Sequence, residues 1–264
     1  MKSTWRYIDT GLSDASCNMA VDEAIAEMAL KGRVPPTLRF YGWAVPSVSL
    51  GCFQKTEEID KSYCEYRGIP IVRRPTGGRA ILHGREITYS FASRNALPCF
   101  SEGLLSTYGH LSRAFYTALK SLGIEVEMKN RREKGRILTG SALCFQSVSY
   151  GELSINRRKV IGSAQKRWKE GFLQQGSIQM VIDPGLMTRV FRNTDTEKIS
   201  LTMTGLRDHL PTLSPDELKR AILKAFEEIF GVKLLPMGLT EEEKVLAVQF
   251  QRQKYQSPEW TFSR

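Results

Sequence analysis

Residues 73–83 read Arg-Arg-Pro-Thr-Gly-Gly-Arg-Ala-Ile-Leu-His, and this stretch decides how the rest of the chain is interpreted. It contains two adjacent glycines, Gly77 and Gly78, directly after a short strand candidate. Because glycine lacks a Cβ, backbone N–H groups in such a turn can approach a ligand closely. The flanking arginines, including Arg73 and Arg79, are suited to bind a carboxylate or a phosphate. The segment is therefore a candidate ligand-binding turn.

The same segment has a plainer interpretation. A glycine hairpin with solvated arginines and a core histidine, His83, would give the same pattern. Short glycine motifs occur often by chance. These positions alone leave both interpretations open.

A second segment, residues 159–165, reads Lys-Val-Ile-Gly-Ser-Ala-Gln. A lysine that leads an apolar strand can direct its ammonium into a pocket, where a fixed positive charge stabilises a developing oxyanion. Taken alone, Lys159 fits an ordinary strand-edge lysine better. Its role depends on what lies around it.

The cysteines provide a candidate nucleophile. A thiolate is strongly nucleophilic and suits acyl transfer between thioesters, and Cys144 is the candidate, although a lone cysteine is often a small buried residue. No pair has the close spacing of a zinc knuckle or a redox dithiol, and there are only three histidines, so we expect no metal site. Free thiols are typical of a cytoplasmic protein. The five cysteines are Cys17, Cys52, Cys64, Cys99 and Cys144.

Hydrophobic periodicity predicts an α+β fold, with mixed β-sheets flanked by helices. We expect one domain over residues 1–264, with a helical part at about 214–264 that begins at the capping boxes of Ser214 and Thr240. A charged loop is expected over residues 128–138. Helices are predicted over 18–31 and 104–122, strands over 37–41, 47–50, 71–73, 86–91 and 177–182, and a hairpin over 150–155 and 159–165.

The formal net charge is +10, so the chain is expected to bind something acidic. Its basic residues are interleaved with acidic ones and form no arginine-rich tail, which favours an acidic protein over nucleic acid as partner. The apolar runs are too short to span a membrane. Residues 1–6 have no apolar stretch behind their charges, so we expect no secretory signal.

Taken together, these segments resemble the biotin and lipoate ligase/transferase superfamily. The resemblance covers nearly the whole chain and implies the fold of that superfamily's catalytic domain. The matching segments are residues 5–9, 18–24, 38–43, 49–51 with Gln54, 73–83, 159–165 and 255–260.

Within the superfamily, the octanoyltransferase branch is the most similar. It resembles this chain in the Gly-Gly-Arg loop with Arg79, in the loop histidine, in a Thr-Tyr-Ser strand at residues 88–90, and in a Cys-Phe pair before the lysine strand. ATP-dependent lipoate–protein ligases usually carry a third glycine in this loop. The branch that moves lipoyl groups between protein domains lacks the loop histidine.

The resemblance implies an octanoyltransferase that works in two steps and needs no cofactor. Cys144 would take the octanoyl group from octanoyl-acyl-carrier protein, and a lysine of a lipoyl domain, such as glycine cleavage H protein, would then accept it. Lys159 is expected to stabilise the oxyanions of both steps. The substrate-binding residues expected from the resemblance are Arg73, Gly77, Gly78, Arg79, His83, Gly162, Ser163, Ala164 and Gly176.

Two other functions fit the same resemblance: an ATP-dependent lipoate–protein ligase without its accessory domain, and a non-catalytic lipoyl-domain-binding protein. Two residues also depart from the octanoyltransferase pattern. Gly84 stands where an aspartate commonly follows the loop histidine, which leaves the orientation of His83 open. Gln175 stands where a histidine commonly precedes Gly176, although an amide can still form hydrogen bonds.

Overall fold

The computed structural model describes residues 2–129 and 151–264. The strands of this part are β1 (Thr4–Ser13), β2 (Thr37–Trp43), β3 (Ser47–Leu50), β4 (Ile71–Arg73), β5 (Ile81–His83), β6 (Glu86–Arg94), β7 (Glu127–Met128), β8 (Leu153–Ile155), β9 (Arg158–Arg167), β10 (Gly171–Gln179) and β11 (Lys233–Pro236). The α-helices are α1 (Ala15–Leu30), α2 (Lys61–Tyr66), α3 (Leu104–Ser121), α4 (Pro184–Val190), α5 (Thr196–Thr202), α6 (Pro215–Phe230), α7 (Glu241–Phe250) and α8 (Pro258–Thr261).

The strands form two sheets of mixed direction. The larger sheet has eight strands in the order β11-β1-β2-β6-β10-β9-β8-β7, and the smaller has three in the order β4-β3-β5. Strand β1 runs parallel to both neighbours, whereas β2, β6, β10 and β9 form an antiparallel centre. This arrangement confirms the predicted α+β class.

Helices cover both faces of the larger sheet. Helices α3 and α6 pack on one face over an aromatic core that includes Phe91, Phe115 and Phe226. Helices α1 and α7 cover the other face through smaller side chains such as Ala24 and Ala247. These small residues let α1 lie close to the sheet, which brings its polar side chains next to the strands that build the site. In the described part of the chain, no helix has both the length and the apolar character needed to cross a membrane.

The predicted helices are confirmed, with shifted ends. Helix α1 starts three residues earlier than expected because the Asp14 side chain caps it, accepting from the Cys17 N–H at 2.8 Å. Ser214 and Thr240 cap α6 and α7 as predicted. The predicted hairpin is formed by β8 and β9. Most of the loop expected at 128–138 lies outside the described residues.

Candidate active site

A narrow cavity of about 20 Å³ is lined by residues of both sheets and of α1. The lining comprises Met19, Tyr41, Trp43, Ser49, Arg74, Ile81, His83, Thr88, Gly162, Ser163, Ala164, Gln175 and Gly176.

One wall of the cavity is the backbone of β9 and β10. The Tyr89 hydroxyl lies 2.7 Å from Ser163 Oγ and accepts from Gln174 Nε2 at 2.9 Å. Burial raises the pKa of Tyr89 to about 12, so its hydroxyl stays protonated, and either oxygen of the Tyr89–Ser163 pair can be the donor. A Cβ at Gly176 would collide with the Tyr89 ring. Glycine at this position therefore lets Tyr89 pack against the strand and leaves the wall without a side chain.

Asp22, on α1, is the centre of a buried polar network next to the cavity. Its Oδ1 accepts from Arg39 Nη1 at 2.7 Å and from Ser90 Oγ at 2.6 Å. Its Oδ2 accepts from the Tyr41 hydroxyl at 2.8 Å and from Gln175 Nε2 at 2.7 Å. Asp22 is completely buried, so these four donors replace the water that a carboxylate would otherwise bind.

Gln175 takes two roles at the position where a histidine was expected from the resemblance. Its Oε1 accepts from Thr76 Oγ1 at 2.8 Å, while its Nε2 donates to Asp22. The amide thus joins the glycine loop, through Thr76, to α1. Both of its functional groups are used for positioning.

Three contacts fix the His83 ring at the cavity wall. Its Nδ1 lies 2.5 Å from Glu86 Oε1 and its Nε2 lies 2.8 Å from Ser49 Oγ. Its ring stacks on Trp43, with centroids 3.9 Å apart. Burial lowers the pKa of His83 below its ordinary value. The orientation that Gly84 left open is therefore set by Glu86, two residues further along the chain.

The glycine loop is organised from inside by Arg74. Its Nη2 donates to the carbonyl oxygens of Gly77 and Arg79 at 2.7 and 2.8 Å. Gly78 has a φ of +87°, which favours glycine. Gly51 has no room for a Cβ because the Gly78 carbonyl lies against it. The two segments are thus in direct backbone contact.

Arg73 lies outside the cavity lining. Its Nη1 donates to the carbonyls of Gly51 and Gln54 at 2.8 Å each, and its Nε donates to Thr261 O at 3.0 Å. The Trp260 indole donates back to Arg73 O at 2.8 Å. This side chain fastens the segment after β3 to α8, which gives it a structural role in the described geometry.

Lys159 is fully buried, and its Nζ lies 2.5 Å from Glu152 Oε1. It leads β9 into residues 162–164 of the cavity wall, although Lys159 itself is outside the lining. Cys144, the expected nucleophile, lies outside the described residues. The distance between the two groups therefore stays a prediction.

The cavity brings together some of the expected site residues and several that sequence reasoning missed. Of the expected set, the lining contains His83, Gly162, Ser163, Ala164 and Gly176, while Arg73, Gly77, Gly78 and Arg79 lie outside it. Ser49, in a segment that matches the superfamily, and Glu86 were not predicted as site residues, because their significance comes only from contact with His83. Gln175 had been noted only as a departure from the octanoyltransferase pattern. The other lining residues that were not predicted as site residues are Met19, Tyr41, Trp43, Arg74, Ile81 and Thr88.

Comparison with known proteins places the chain in a family. The family model described as lipoyl protein ligase A/B catalytic domain matches residues 14–227. The octanoyltransferase LipM of Geobacillus kaustophilus (strain HTA426) is 36% identical over 100% of this chain and 99% of its own length. The octanoyltransferase LipM of Moorella thermoacetica (strain ATCC 39073 / JCM 9320) is 38% identical over 97% of each chain.

A solved structure agrees with the fold. A bi-partite lipoate protein ligase from Thermoplasma acidophilum superposes with a TM-score of 0.83 at 23% identity, over 98% of this chain and 96% of that one. The matches to the family model and to the two relatives confirm the resemblance read from the glycine loop and the lysine strand. This chain belongs to the lipoyl protein ligase A/B catalytic domain family.

Proposed function

We propose that this chain is an octanoyltransferase. It moves an octanoyl group from an acyl-carrier protein to a lysine of a lipoyl domain, such as glycine cleavage H protein, in protein lipoylation. The observation that carries the proposal is identity of 36–38%, over nearly the full length, to relatives named octanoyltransferase LipM. The lining of the cavity supports it, because Met19, Trp43 and Ile81 offer apolar surface to a short acyl chain.

The cavity favours binding of a saturated chain. Seven saturated carbons of an octanoyl group, at ~0.8 kcal/mol for each buried CH₂, contribute about 5–6 kcal/mol when removed from water. Met19, Trp43 and Ile81 supply apolar surface for this contact.

The proposed reaction has two steps through a thioester of Cys144. The Cys144 thiolate attacks the octanoyl thioester, and the carrier leaves as a thiolate that takes up a proton from solvent. The amine of the acceptor lysine then attacks the enzyme thioester, loses a proton, and releases the Cys144 thiolate as the amide forms. A thioester is already activated, so the reaction uses no ATP. Each step passes through an oxyanion, for which Lys159 is the proposed stabilising charge.

The test of the function is acyl transfer without ATP. The enzyme is incubated with octanoyl-acyl-carrier protein, and its intact mass is measured before and after addition of a lipoyl domain. We expect one octanoyl group on the enzyme, which then appears on the lipoyl domain. Acylation only from free octanoate with ATP would identify a ligase instead. Carrier binding without any acyl turnover would identify a non-catalytic binding protein.

Replacing Lys159 tests its proposed charge role. Lys159→Met is expected to lower kcat by roughly 10²- to 10³-fold, the loss typical when one oxyanion-stabilising group is removed. It is also expected to destabilise the fold by about 3 kcal/mol, because it breaks a buried ion pair with Glu152. Steady-state transfer assays and urea unfolding measure the two effects.

A second substitution separates these effects. Glu152→Gln, added to Lys159→Met, is expected to restore most of the unfolding free energy but not kcat, because it removes the buried carboxylate that has lost its ion pair with Lys159, without replacing the positive charge. Recovery of transfer in the double variant would mean that Lys159 acts only as a structural partner of Glu152.

A further inference from the structure

Four side chains form a continuous hydrogen-bonded relay from the start of β6, in the larger sheet, to the glycine loop. Glu86 contacts His83, whose other ring nitrogen contacts Ser49 at 2.8 Å. Arg74 Nη1 donates to Ser49 Oγ at 3.1 Å and to Ser49 O at 3.0 Å. Through Nη2, Arg74 then holds the Gly77 carbonyl at 2.7 Å. His83, Ser49 and Arg74 are each at most 4% exposed, so water does not compete for these bonds.

The position of each proton in the relay follows from its two ends. Ionised Glu86 can only accept, so His83 Nδ1 carries the ring proton and Nε2 of the neutral ring is an acceptor. Ser49 Oγ therefore donates its single proton to His83 Nε2, and it accepts from Arg74, which can only donate. Because the Ser49 oxygen is held by a guanidinium, the arrangement suits positioning better than nucleophilic attack.

The charges around His83 agree with this assignment. Burial lowers the pKa of His83, Arg74 lowers it further, and Glu86 opposes them, so the ring is neutral at neutral pH. Burial by itself would raise the pKa of Glu86. The contact with His83 and hydrogen bonds from Gly84 N–H and Thr88 outweigh burial, so the net shift is downward and the carboxylate is ionised.

We propose that Glu86 is a positioning residue for acyl transfer. Glu86 orients His83, and through His83 and Ser49 it fixes the position of Arg74. Arg74 in turn holds the glycine loop, and His83, Ser49 and Arg74 form part of the cavity wall. This inference rests on the proposed function, because the geometry it maintains is that of the acyl cavity. Glu86 is therefore expected to control activity while it contacts no reacting atom.

Glu86→Gln removes the charge and keeps the shape. Glu86 uses one oxygen for His83 Nδ1 and the other for Gly84 N–H at 2.7 Å, whereas an amide offers only one accepting oxygen. His83 then populates its other tautomer, which donates toward Ser49 and competes with Arg74. We expect kcat/KM for octanoyl transfer to fall roughly 10- to 100-fold, mostly through kcat, since a misplacement of about 1 Å can cost ~100-fold.

Nitrogen NMR of the histidines gives a readout that is independent of activity. The chain has only three histidines, so His83 can be assigned by its loss in His83→Gln. In the wild type we expect a proton on Nδ1 and none on Nε2 at neutral pH. In Glu86→Gln we expect a mixture of tautomers. Loss of the carboxylate also removes the contribution that raises the pKa of His83, so its titration midpoint is expected to move to lower pH.

Two further variants keep the proposal testable if Glu86→Gln folds poorly. Ser49→Ala cuts the relay beyond His83, so transfer is expected to fall while the Nδ1–H tautomer remains. Ser49→Thr keeps the hydroxyl and is expected to recover most of the lost rate. Asp208→Asn is the matched control: Asp208 and His209 share contacts with Thr204 at 2.9 and 3.0 Å, outside the cavity lining.

The possible outcomes distinguish failure of the relay from failure of the proposed function. Unchanged His83 tautomer and wild-type kcat in Glu86→Gln would overturn the relay, as would equal rates in Ser49→Ala and Ser49→Thr. A similar loss in Asp208→Asn would also overturn it, because the effect would then be general destabilisation. Absence of octanoyl transfer in the wild type would overturn the proposed function, and the His83 tautomer in Glu86→Gln would still decide whether Glu86 sets the ring.

Discussion

Cys144→Ala is expected to abolish octanoyl transfer, with a fall in kcat/KM of at least ~10³-fold, because removal of a covalent nucleophile leaves only binding and oxyanion stabilisation. The intact mass of the variant should stay unchanged in the presence of octanoyl-acyl-carrier protein. Transfer is measured as the octanoyl mass that appears on the lipoyl domain. The same experiment with Cys144→Ser gives a matched variant that retains a hydroxyl.

The other cysteines explain why this effect should be specific. Burial raises the pKa of Cys17, Cys64 and Cys99, in the case of Cys64 to about 11, so these thiols are mostly protonated at neutral pH. A protonated thiol is a poor nucleophile. Cys99→Ser is therefore the control and is expected to retain wild-type transfer.

One other cysteine provides the outcome that would contradict the assignment. Cys52 lies beside the glycine loop, where its N–H donates to Thr76 O at 2.8 Å. An octanoyl group found on the Cys52 peptide, and lost in Cys52→Ser but not in Cys144→Ala, would move the nucleophile to Cys52. Peptide mapping after a short incubation distinguishes the two positions.

Asp22→Asn is expected to lower the free energy of unfolding by about 3–5 kcal/mol, because it leaves the buried Arg39 guanidinium without its carboxylate. The N–H groups of the new amide also face groups that donate to Asp22 in the wild type, including Tyr41 and Gln175. Burial is the largest cause that raises the pKa of Tyr41 well above its ordinary value, and burial remains when the Asp22 charge is lost, so Tyr41 cannot relieve the conflict by ionising. Urea unfolding measures the loss.

A double-mutant cycle shows whether the loss comes from the ion pair. Arg39→Met added to Asp22→Asn should cost less than the sum of the single changes, with a coupling of about 1–3 kcal/mol. Glu242→Gln, in an exposed pair with Arg33 at 3.1 Å, is the control and should change the free energy of unfolding by less than ~1 kcal/mol. Equal effects of Asp22→Asn and Glu242→Gln would refute the importance of the buried network.

Helices and strands that carry a local sequence signal could be predicted, whereas a strand whose stability depends on long-range pairing was missed. Helix α6 could be predicted from Ser214, Pro215 and Glu217, because a capping signal depends only on residues that are neighbours in the sequence. Strand β1 was not predicted, because residues 4–13 alternate weakly between buried and exposed positions. Its stability comes from β2 and β11, and no short window of sequence contains both.

The site residues also could be predicted only where the sequence carries a local signal. The glycines at 162 and 176 could be identified because a short motif required them. Glu86 could not, since the resemblance points to an aspartate directly after His83, and this chain orients the ring from two residues later. Arg73 and Arg74 are adjacent and look equivalent in sequence. Only the structure shows that Arg74 lines the cavity while Arg73 binds α8.

The parallel pairing of β1 with β11 has a consequence for biosynthesis. Thr4 pairs with Lys233, so a ribosome adding ~5–20 residues per second needs about 10–50 seconds to deliver the second strand after the first. During that interval β1 is the open edge of any sheet that has already formed, and an open edge can pair with other chains. In the finished protein the edge is β11, a short strand that ends at Pro236. One edge of the N-terminal strand therefore stays unpaired until residues 233–236 are made, and slow translation of residues 200–236 would prolong that exposure.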